Sequence, residues 1–271
     1  MKKVFLILAL VLVSFNVLAQ KSPEEIIRSL NWVKAPAVGK VGDKAEIKLT
    51  GNLQFLGAAD TNEFLKANGN LGQANAYTVM NADMKSGWFG VFQFVDSGYV
   101  KDDEKIDAAE LLASLKANNV SANEERKKQG LPTLVLEDWY FPPRYDTETK
   151  RLEWGTRLRS EGSSEPTVNV TTKILGRGGY FSAILVSGPQ SLERDLVEFK
   201  QALRNFDYVS GEKYREWREG DKVAAFGLGA LVLGGAVAVA TKKGGLKLIG
   251  LAVLAALAAG LAMVKKFFGK K

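Results

Sequence analysis

The chain has 271 residues, of which 46% are hydrophobic, and it contains neither cysteine nor histidine. Without cysteine there is no disulfide and no thiolate nucleophile, and without both residue types the usual zinc, haem and iron–sulfur ligand sets are missing. Imidazole acid–base catalysis and a Ser-His-Asp triad are excluded because each needs a histidine. We therefore expect no cofactor, no metal site and no catalytic centre of these kinds.

The formal net charge of +7 belongs to the two ends of the chain. Of the 37 basic residues, two lie in residues 1–19 and seven in residues 223–271, and neither stretch holds an acid. Residues 20–222 therefore carry 28 basic residues against all 30 acids, a balance of −2. A nearly neutral domain lacks the basic surface that binds nucleic-acid backbones, so nucleic acid is not an expected partner.

Residues 1–19 have the three parts of a secretory signal peptide. Two lysines form the cationic start, residues 4–13 form a short apolar core, and small residues precede a cleavage site after Ala19. The alternative is an uncleaved anchor, but residues 4–19 make a stretch of only 16, whereas crossing a bilayer takes about 20 apolar residues. We therefore predict that the chain is exported.

Two apolar stretches near the C-terminus, residues 223–240 and 248–264, contain 18 and 17 residues and no charged side chain. Their lengths predict one transmembrane helix and a second that is transmembrane or membrane-associated. Residues 241–247 form a cationic turn between them, and residues 265–271 form a basic tail. The alternative is a buried helical hairpin of a soluble domain, but an amphipathic helix would need a polar face.

The predicted location is therefore the inner membrane of a Gram-negative-type cell, with the main domain, residues 20–222, in the periplasm. The two groups of lysines favour different numbers of membrane crossings. A helix over 223–240 would bring the lysines of 241–247 to the cytoplasm, as the positive-inside rule favours. A second full crossing would return the basic tail to the outside, which the same rule disfavours. We expect a helical hairpin, and a re-entrant or surface-lying second segment stays open.

Small residues recur every four positions within both apolar stretches. Such spacing lets helix backbones approach closely in lipid, so it predicts helix packing or self-association. The residues are Ala230, Gly234, Ala238, Ala252, Ala256 and Gly260.

The middle of the chain alternates short strand patterns with a few amphipathic helices. Most of the strands are joined as hairpins, which predicts one α+β domain on a mainly antiparallel sheet with flanking helices. The predicted strands are 44–49, 52–56, 88–95, 133–140, 151–158, 167–175 and 180–187. The predicted helices include a short one after Ser22, another from Asp60 to Lys66, and segments 107–117, 122–129 and 191–206.

The most unusual local sequence combines aromatic residues, a proline pair and an arginine. It could line a groove for a sugar or peptide, or it could be a packed corner where a strand leaves the sheet. The candidate binding residues are Trp139, Pro142, Pro143, Arg144, Tyr145 and Asp146.

Two other motifs have ordinary structural explanations. The acidic stretch 101–107 lacks the ligand spacing of a calcium loop, and Asp107 is suited to cap a helix. The glycine-rich stretch 176–179 lies between two strand patterns and so predicts a hairpin turn, not a phosphate-binding loop.

Several motifs taken together resemble the bacterial membrane-anchored proteins of domain-of-unknown-function family 2167. The resemblance implies an exported, membrane-anchored protein and supplies no catalytic residues. The strand-rich middle closed by a C-terminal helix also looks like the PsbP-like fold. The motifs are 55–56, 58–61, 98–103, 105–107, 123–126, 139 with 142–146, 175–179, 211–214 and 221–225.

The sequence therefore favours a non-enzymatic, envelope-facing module that binds a partner or organises the membrane. A second hypothesis is a periplasmic hydrolase that uses carboxylates among Asp60, Asp102, Asp103 and Asp146. A third is a protein that self-associates through its membrane helices. The expected partners are the lipid bilayer and either another envelope protein or further copies of the chain.

Overall fold

The computed structural model describes residues 21–234 except 71, 84–86 and 129. The helices are α1 (Pro23–Ser29), α2 (Ala58–Ala67), α3 (Ala108–Lys128), α4 (Leu192–Arg204) and α5 (Leu228–Val232), with a 3-10 turn at Tyr214–Glu216. The strands are β1 (Val33–Lys34), β2 (Ala37–Val41), β3 (Ala45–Leu49), β4 (Leu53–Leu56), β5 (Ala76–Asn81), β6 (Phe89–Val95), β7 (Leu134–Asp146), β8 (Arg151–Ser160), β9 (Thr167–Leu175), β10 (Tyr180–Ser187) and β11 (Phe206–Tyr208).

The strands form two antiparallel sheets. The large sheet has eight strands in the order β1-β4-β5-β6-β10-β9-β8-β7, and the small sheet has three in the order β11-β3-β2. All of the strand pairings within these sheets are antiparallel. The predicted α+β domain on an antiparallel sheet with flanking helices is therefore confirmed.

The small sheet and α4 cover one face of the large sheet, which we call the front face. Phe92, Phe181, Phe199 and Phe206 are buried together there. The Phe92 and Phe206 rings stack with their centres 6.0 Å apart, and Phe181 meets Phe206 edge-on at 5.1 Å. Since large aromatic side chains bury the most apolar area, this cluster is the main stabilising contact between the two sheets.

Two separate groups of helices cover the opposite face, which we call the back face. Helices α1 and α2 pack over β4, β5 and β6, where Phe64 meets Phe89. Helices α3 and α5 pack over β7, β8 and the neighbouring ends of β9 and β10, where Leu115, Trp154 and Leu231 are buried together. The last helix before the downstream apolar sequence is thus part of the domain core.

Two predicted helices, 107–117 and 122–129, form the single helix α3. Asp107 caps it as predicted, because its Oδ1 accepts hydrogen bonds from the backbone N–H groups of Ala109 and Glu110, both at 3.0 Å. Nothing in 118–121 breaks a helix, so the segments join.

The predicted end of the strand 133–140 is wrong, and so is the alternative that the strand leaves the sheet at the proline pair. Strand β7 continues through Pro142 and Pro143 to Asp146, with register shifts relative to β8 on both sides of Phe141. β7 is an edge strand of the large sheet, and bulged edge strands accept proline because no neighbour needs its missing N–H group.

The predicted helix over 223–240 does not begin at its predicted start. Val223 forms a parallel bridge with Tyr99, and α5 spans only five residues. Gly234, at φ 104°, follows the end of α5, so Ala230 and Gly234 do not lie on one helical stripe. Within the described part of the chain, no helix is both long and apolar enough to cross a membrane.

The predicted signal peptide and cleavage site, the second apolar stretch and the basic tail lie outside the described residues, and so do Ala238, Ala252, Ala256 and Gly260 of the small-residue stripe.

Candidate functional site

The hairpin of β7 and β8 ends in a tight turn, and we call residues 144–151 the hairpin tip. Asp146 builds the turn because its Oδ1 accepts hydrogen bonds from the backbone N–H groups of Glu148, at 2.9 Å, and Thr149, at 3.2 Å. A hydrogen bond from the Thr149 side chain, with these two backbone bonds, holds the pKa of Asp146 below its usual range. The turn fixes the directions in which Tyr145 and Arg151 leave it.

Asp102 joins the hairpin tip to the loop before α3. Its Oδ2 accepts hydrogen bonds from the Tyr145 hydroxyl and the Lys150 Nζ, both at 2.7 Å. Burial disfavours the charged carboxylate, but the hydrogen bonds from Lys150 and Tyr145 outweigh it and lower the pKa of Asp102. The Lys150 Nζ also lies 5.1 Å from the centre of the Tyr214 ring. Asp102 is therefore an ionised, paired carboxylate.

A cleft of about 290 Å³ opens between the hairpin tip and the last turns of α4, and we call it the tip cleft. Four cationic and two acidic side chains line it, which gives a net charge of +2. They are Arg144, Arg151, Lys200, Arg204, Asp146 and Glu153. None of the four cations forms an ion pair within 4.0 Å with a carboxylate of the described residues. The tip cleft is thus positive in a domain whose overall balance is negative.

Arg151 is the half-buried cation of the tip cleft, and it also borders a neighbouring cleft. Its Nη2 donates a hydrogen bond to the Leu203 carbonyl oxygen at 2.8 Å, whereas its buried Nε has no acceptor among the described residues. Burial lowers the pKa of the Arg151 guanidinium, yet an arginine stays charged at neutral pH. A buried donor without an acceptor costs about 1–3 kcal/mol, so the fold holds this guanidinium at an energetic cost.

A second cleft, of about 330 Å³, lies on the other side of Arg151. Its two lysines are already paired, because Lys150 binds Asp102 and Lys213 binds Asp207, with nitrogen–oxygen distances of 2.7 and 2.6 Å. Arg151 and Arg215 also line this second cleft without an ion pair to a described carboxylate, so it holds two unpaired cations against four in the tip cleft.

The six predicted binding residues do not form one groove. Trp139 packs on the back face, where its Nε1 donates to the Ala108 carbonyl oxygen at 3.1 Å. Pro142 is exposed and Pro143 half-buried within the bulged strand. Only Arg144, Tyr145 and Asp146 line the tip cleft. The prediction located one wall of a cleft and missed the other.

The missed wall consists of Arg151, Lys200 and Arg204. Arg151 is the first residue of a predicted strand and directly follows the predicted turn. That position was the only sequence feature that could have placed it beside Arg144, Tyr145 and Asp146. Lys200 and Arg204 lie on α4, about fifty residues away, and their approach depends on how α4 packs against the sheet.

The carboxylates of the predicted hydrolase are not gathered into a catalytic pair. Asp60, in α2, accepts a hydrogen bond from Asn31. Asp102 lies beside the hairpin tip and Asp146 within it, and both have a lowered pKa. A general acid of a glycosidase needs a raised pKa. The described residues therefore give the carboxylate-hydrolase hypothesis no support.

Acids of the stretch 101–107 have separate structural roles and do not form one site. Asp102 pairs with Lys150, Asp107 caps α3, and the Glu104 Oε2 accepts a hydrogen bond from the Gly229 backbone N–H group at 3.0 Å. Among the described residues, no group of three or more acids is placed to hold a metal ion.

Residues 211–227, which lead into α5, are fastened to the same end of the sheet, and we call them the exit segment. Arg177, in the confirmed turn between β9 and β10, donates two hydrogen bonds to Asp221, at 2.6 and 2.7 Å. The Tyr99 ring stacks on Tyr214 with centres 4.4 Å apart. The Ala224 backbone N–H group donates to the Tyr99 carbonyl oxygen at 2.9 Å.

Motifs that are far apart in the sequence thus meet at one end of the large sheet. The stretches 98–107, 139–146, 175–179 and 211–225 supply Asp102, Tyr145, Arg177 and Asp221 to these contacts. These four stretches, which belong to the family resemblance, therefore hold the hairpin tip and the exit segment in place.

The fold and this end of the sheet define an α+β domain whose C-terminal helix α5 is buried in its core. The sequence profile of the proteins of unknown function termed DUF2167 matches residues 34–265, and the chain belongs to that family. The match runs through both apolar stretches near the C-terminus. No curated protein matches the chain.

Among solved structures, the chain is similar to the cyanobacterial PsbP (CyanoP) of Synechocystis sp. PCC 6803, determined in solution. The identity is 8%, the TM-score is 0.37, and the match covers 66% of this chain and 91% of that chain. A likeness at this level carries no argument about function, and the PsbP-like part of the fold prediction stays a prediction.

Proposed function

We propose that the protein is an exported, membrane-anchored binding module without catalytic activity of its own, and that its tip cleft binds a ligand carrying a phosphate monoester. The observation that carries this proposal is the net charge of +2 in the tip cleft, where four cations outnumber two acids and none of the four forms an ion pair within 4.0 Å with a carboxylate of the described residues. A phosphate monoester carries a charge of about −1.5 to −2 at pH 7, which matches the net charge of the cleft.

Arg151 is the residue expected to hold the phosphate. A guanidinium presents planar donors that suit two phosphate oxygens, and burial strengthens such bonds. Arg144, Lys200 and Arg204 would contribute longer-range attraction, since all three line the same cleft. The cations also complement the C-terminal end of α4, a purely structural role that would leave phosphate unbound.

Export and anchoring complete the proposal. They are supported by the signal-peptide pattern of residues 1–19, by the uncharged stretch 248–264 and by a family profile that continues to residue 265. In this account the domain is periplasmic, and the ligand is a phosphorylated component of the cell envelope.

The binding proposal is tested by calorimetric titration of phenyl phosphate into the full-length protein in detergent. We expect saturable binding that Arg151→Met abolishes and Arg151→Lys weakens. The matched control is Arg157→Met, an exposed arginine on the same strand and the same side of the sheet, which should bind like the native protein. Phenol, which lacks the phosphate, should not bind.

The proposal is wrong if the native protein does not bind phenyl phosphate, or if Arg151→Met and Arg157→Met weaken binding equally. Thermal unfolding of each variant separates loss of the site from loss of the fold, because Arg151→Met also removes the bond to Leu203.

A further inference from the structure

The tip cleft and the second cleft adjoin each other, because Thr149 and Arg151 line both of them. Their volumes are about 290 and 330 Å³. A molecule whose phosphate is held by Arg151 in the tip cleft can therefore extend past this arginine into the second cleft. The chemistry of the second cleft then indicates which kind of molecule carries the phosphate.

The second cleft is electrically balanced once Arg151 is assigned to the phosphate. Its two lysines are each paired with a carboxylate. The charged residues that remain, Arg215 and Glu148, have opposite signs. An uncharged part of the ligand therefore suits this cleft, whereas a second phosphate would meet no net positive charge there.

The side chains of Arg215 and Glu148 are both available to a ligand. The acids nearest to Arg215 in the sequence are engaged, because Glu216 accepts two backbone N–H groups of the exit segment at 2.8 Å and Glu212 pairs with Lys44 at 2.7 Å. Glu148 is exposed at the hairpin tip. Within the described part of the chain, neither Arg215 nor Glu148 forms an ion pair or a side-chain hydrogen bond.

The floor of the second cleft offers little apolar surface. We call its five large hydrophobic and aromatic side chains the floor, and they are Ile174, Leu175, Phe206, Tyr208 and Tyr214. Each is only between 2% and 7% exposed. The Tyr208 and Tyr214 hydroxyls donate to backbone carbonyl oxygens at 2.7 and 2.8 Å, which fixes both rings. Because hydrophobic stabilisation scales with the apolar area buried, an alkyl chain on this floor would gain little.

The exposed rim of the second cleft mixes hydrogen-bond donors with acceptors. Arg215 and Thr149 can donate, whereas Glu148 and Asp207 can accept. A hydroxyl group both donates and accepts, whereas a carboxylate or a phosphate dianion only accepts. A chain of hydroxyl groups can therefore bond to every residue of this rim.

We propose that the phosphate bound in the tip cleft is carried by a sugar or another polyol, whose hydroxyl groups bind Glu148 and Arg215 in the second cleft. This inference rests on the proposed function, which places the phosphate on Arg151, and it adds the chemical class of the ligand. It distinguishes a phosphorylated carbohydrate from a phospholipid, whose alkyl chains would find no apolar surface here.

The experiment compares sorbitol 6-phosphate with hexyl phosphate, each titrated calorimetrically into the full-length protein in detergent. Both compounds are phosphate monoesters on the same length of carbon chain, and they differ only in the hydroxyl groups. We expect sorbitol 6-phosphate to bind at least about tenfold more tightly, which corresponds to roughly one hydrogen bond to a charged group.

Two variants locate the source of this preference. Arg215→Met and Glu148→Ala should each reduce the ratio of the two affinities several-fold. The ratio is the readout because a change in attraction for the phosphate affects both compounds alike. The matched control is Arg218→Met, since Arg218 is an exposed arginine of the exit segment that lines neither cleft. It should leave the ratio unchanged.

Equal affinities for the two compounds would overturn the assignment of a polyol, and tighter binding of hexyl phosphate would point to a lipid phosphate instead. A preference that Arg215→Met and Arg218→Met reduce equally would show that the hydroxyl groups do not bind in the second cleft. If neither compound binds and phenyl phosphate does not bind either, the proposed function itself fails. Binding of phenyl phosphate without a preference for sorbitol 6-phosphate contradicts only the polyol.

Discussion

Arg177 and Asp221 form a two-point ion pair in which Nε and Nη2 donate to the two carboxylate oxygens at 2.6 and 2.7 Å. The pair joins the turn between β9 and β10 to the exit segment. The Arg218 backbone N–H group donates to the same carboxylate at 2.8 Å. This carboxylate therefore fixes the path of the chain as it approaches α5.

Acid should loosen this attachment. The hydrogen bond from Arg177, followed by that from the Arg218 backbone, lowers the pKa of Asp221 to about 2. A carboxyl whose folded pKa lies below its unfolded value stabilises the fold above the unfolded value, about 3.9, and loses that contribution as the pH falls towards 2. Asp221→Asn should lower the unfolding temperature at pH 5, and the difference from the native protein should shrink towards pH 2.

Asp43→Asn, in an exposed turn, is the control for the loss of one negative charge. Thermal unfolding followed by circular dichroism measures all three proteins. An Asp221→Asn difference that stays constant from pH 5 to pH 2 would show that the ion pair does not cause the effect.

Gly98 should not tolerate a side chain. Its φ is +85°, and an added Cβ would lie 2.7 Å from the Lys222 carbonyl oxygen, at the point where the exit segment crosses the loop before α3. Gly98→Ala should therefore destabilise the domain by more than the roughly 1 kcal/mol expected for unfavourable φ alone. Urea unfolding measures the loss.

Gly162→Ala isolates the backbone contribution, because Gly162 has φ +77° and nothing within 4 Å of an added Cβ. Equal losses at positions 98 and 162 would mean that the close approach to Lys222 is not important.

Lys173 should destabilise the fold at neutral pH. It is buried on the back face, where its Nζ donates to the Ser182 Oγ at 2.8 Å, and burial lowers its pKa to about 7. Because the unfolded pKa is about 10.4, stability should rise with pH between about 7 and 10. Lys173→Met should raise the free energy of unfolding at pH 7 by about 1–3 kcal/mol.

That gain should shrink as the pH rises from 7 to 10, because the folded-state lysine is neutral above about 7 and the lysine of the unfolded chain begins to lose its proton near pH 10. Lys116→Met, at an exposed position of α3, should change little at either pH. If the difference in unfolding free energy between Lys173→Met and the native protein is the same at pH 7 and pH 10, the lowered pKa of Lys173 is contradicted.

Tyr145 should stabilise the hairpin tip through its hydroxyl. Removing it in Tyr145→Phe takes one hydrogen bond from the charged Asp102, which is worth about 1.5–3 kcal/mol. It should also raise the pKa of Asp102, since that bond favours the carboxylate. Urea unfolding and a carboxyl titration by NMR measure the two effects. Tyr140→Phe is the control, and equal losses would argue against the bond to Asp102.

The sequence predicted the strands 88–95 and 180–187 because short runs rich in aromatic and β-branched residues, bounded by turn signals, indicate buried strands, and every residue of β10 is buried. It missed β2 and β5, which contain Gly39 and Asn81. Glycine and asparagine are unfavourable in strands, so these segments become strands only through pairing with their neighbours in the sheet. The hairpin turn at 176–179 was predicted because local glycines suffice for it.

The tip cleft was predictable only in part for a similar reason. Arg144, Tyr145 and Asp146 adjoin one turn, so their proximity is local. Lys200 and Arg204 reach the cleft because α4 packs on the front face through Phe199, and a single sequence does not report such a tertiary contact. Likewise, hydropathy alone could not divide the stretch 223–240, since α5 is as apolar as a membrane segment although it lies in the core.

The central claim, that the tip cleft binds a phosphate monoester, is tested most directly by hydrogen–deuterium exchange of the full-length protein with and without phenyl phosphate. The account predicts slower exchange confined to the hairpin tip and the last turns of α4, around residues 144–151 and 200–206. Unchanged exchange there, or protection only at another surface, would contradict it.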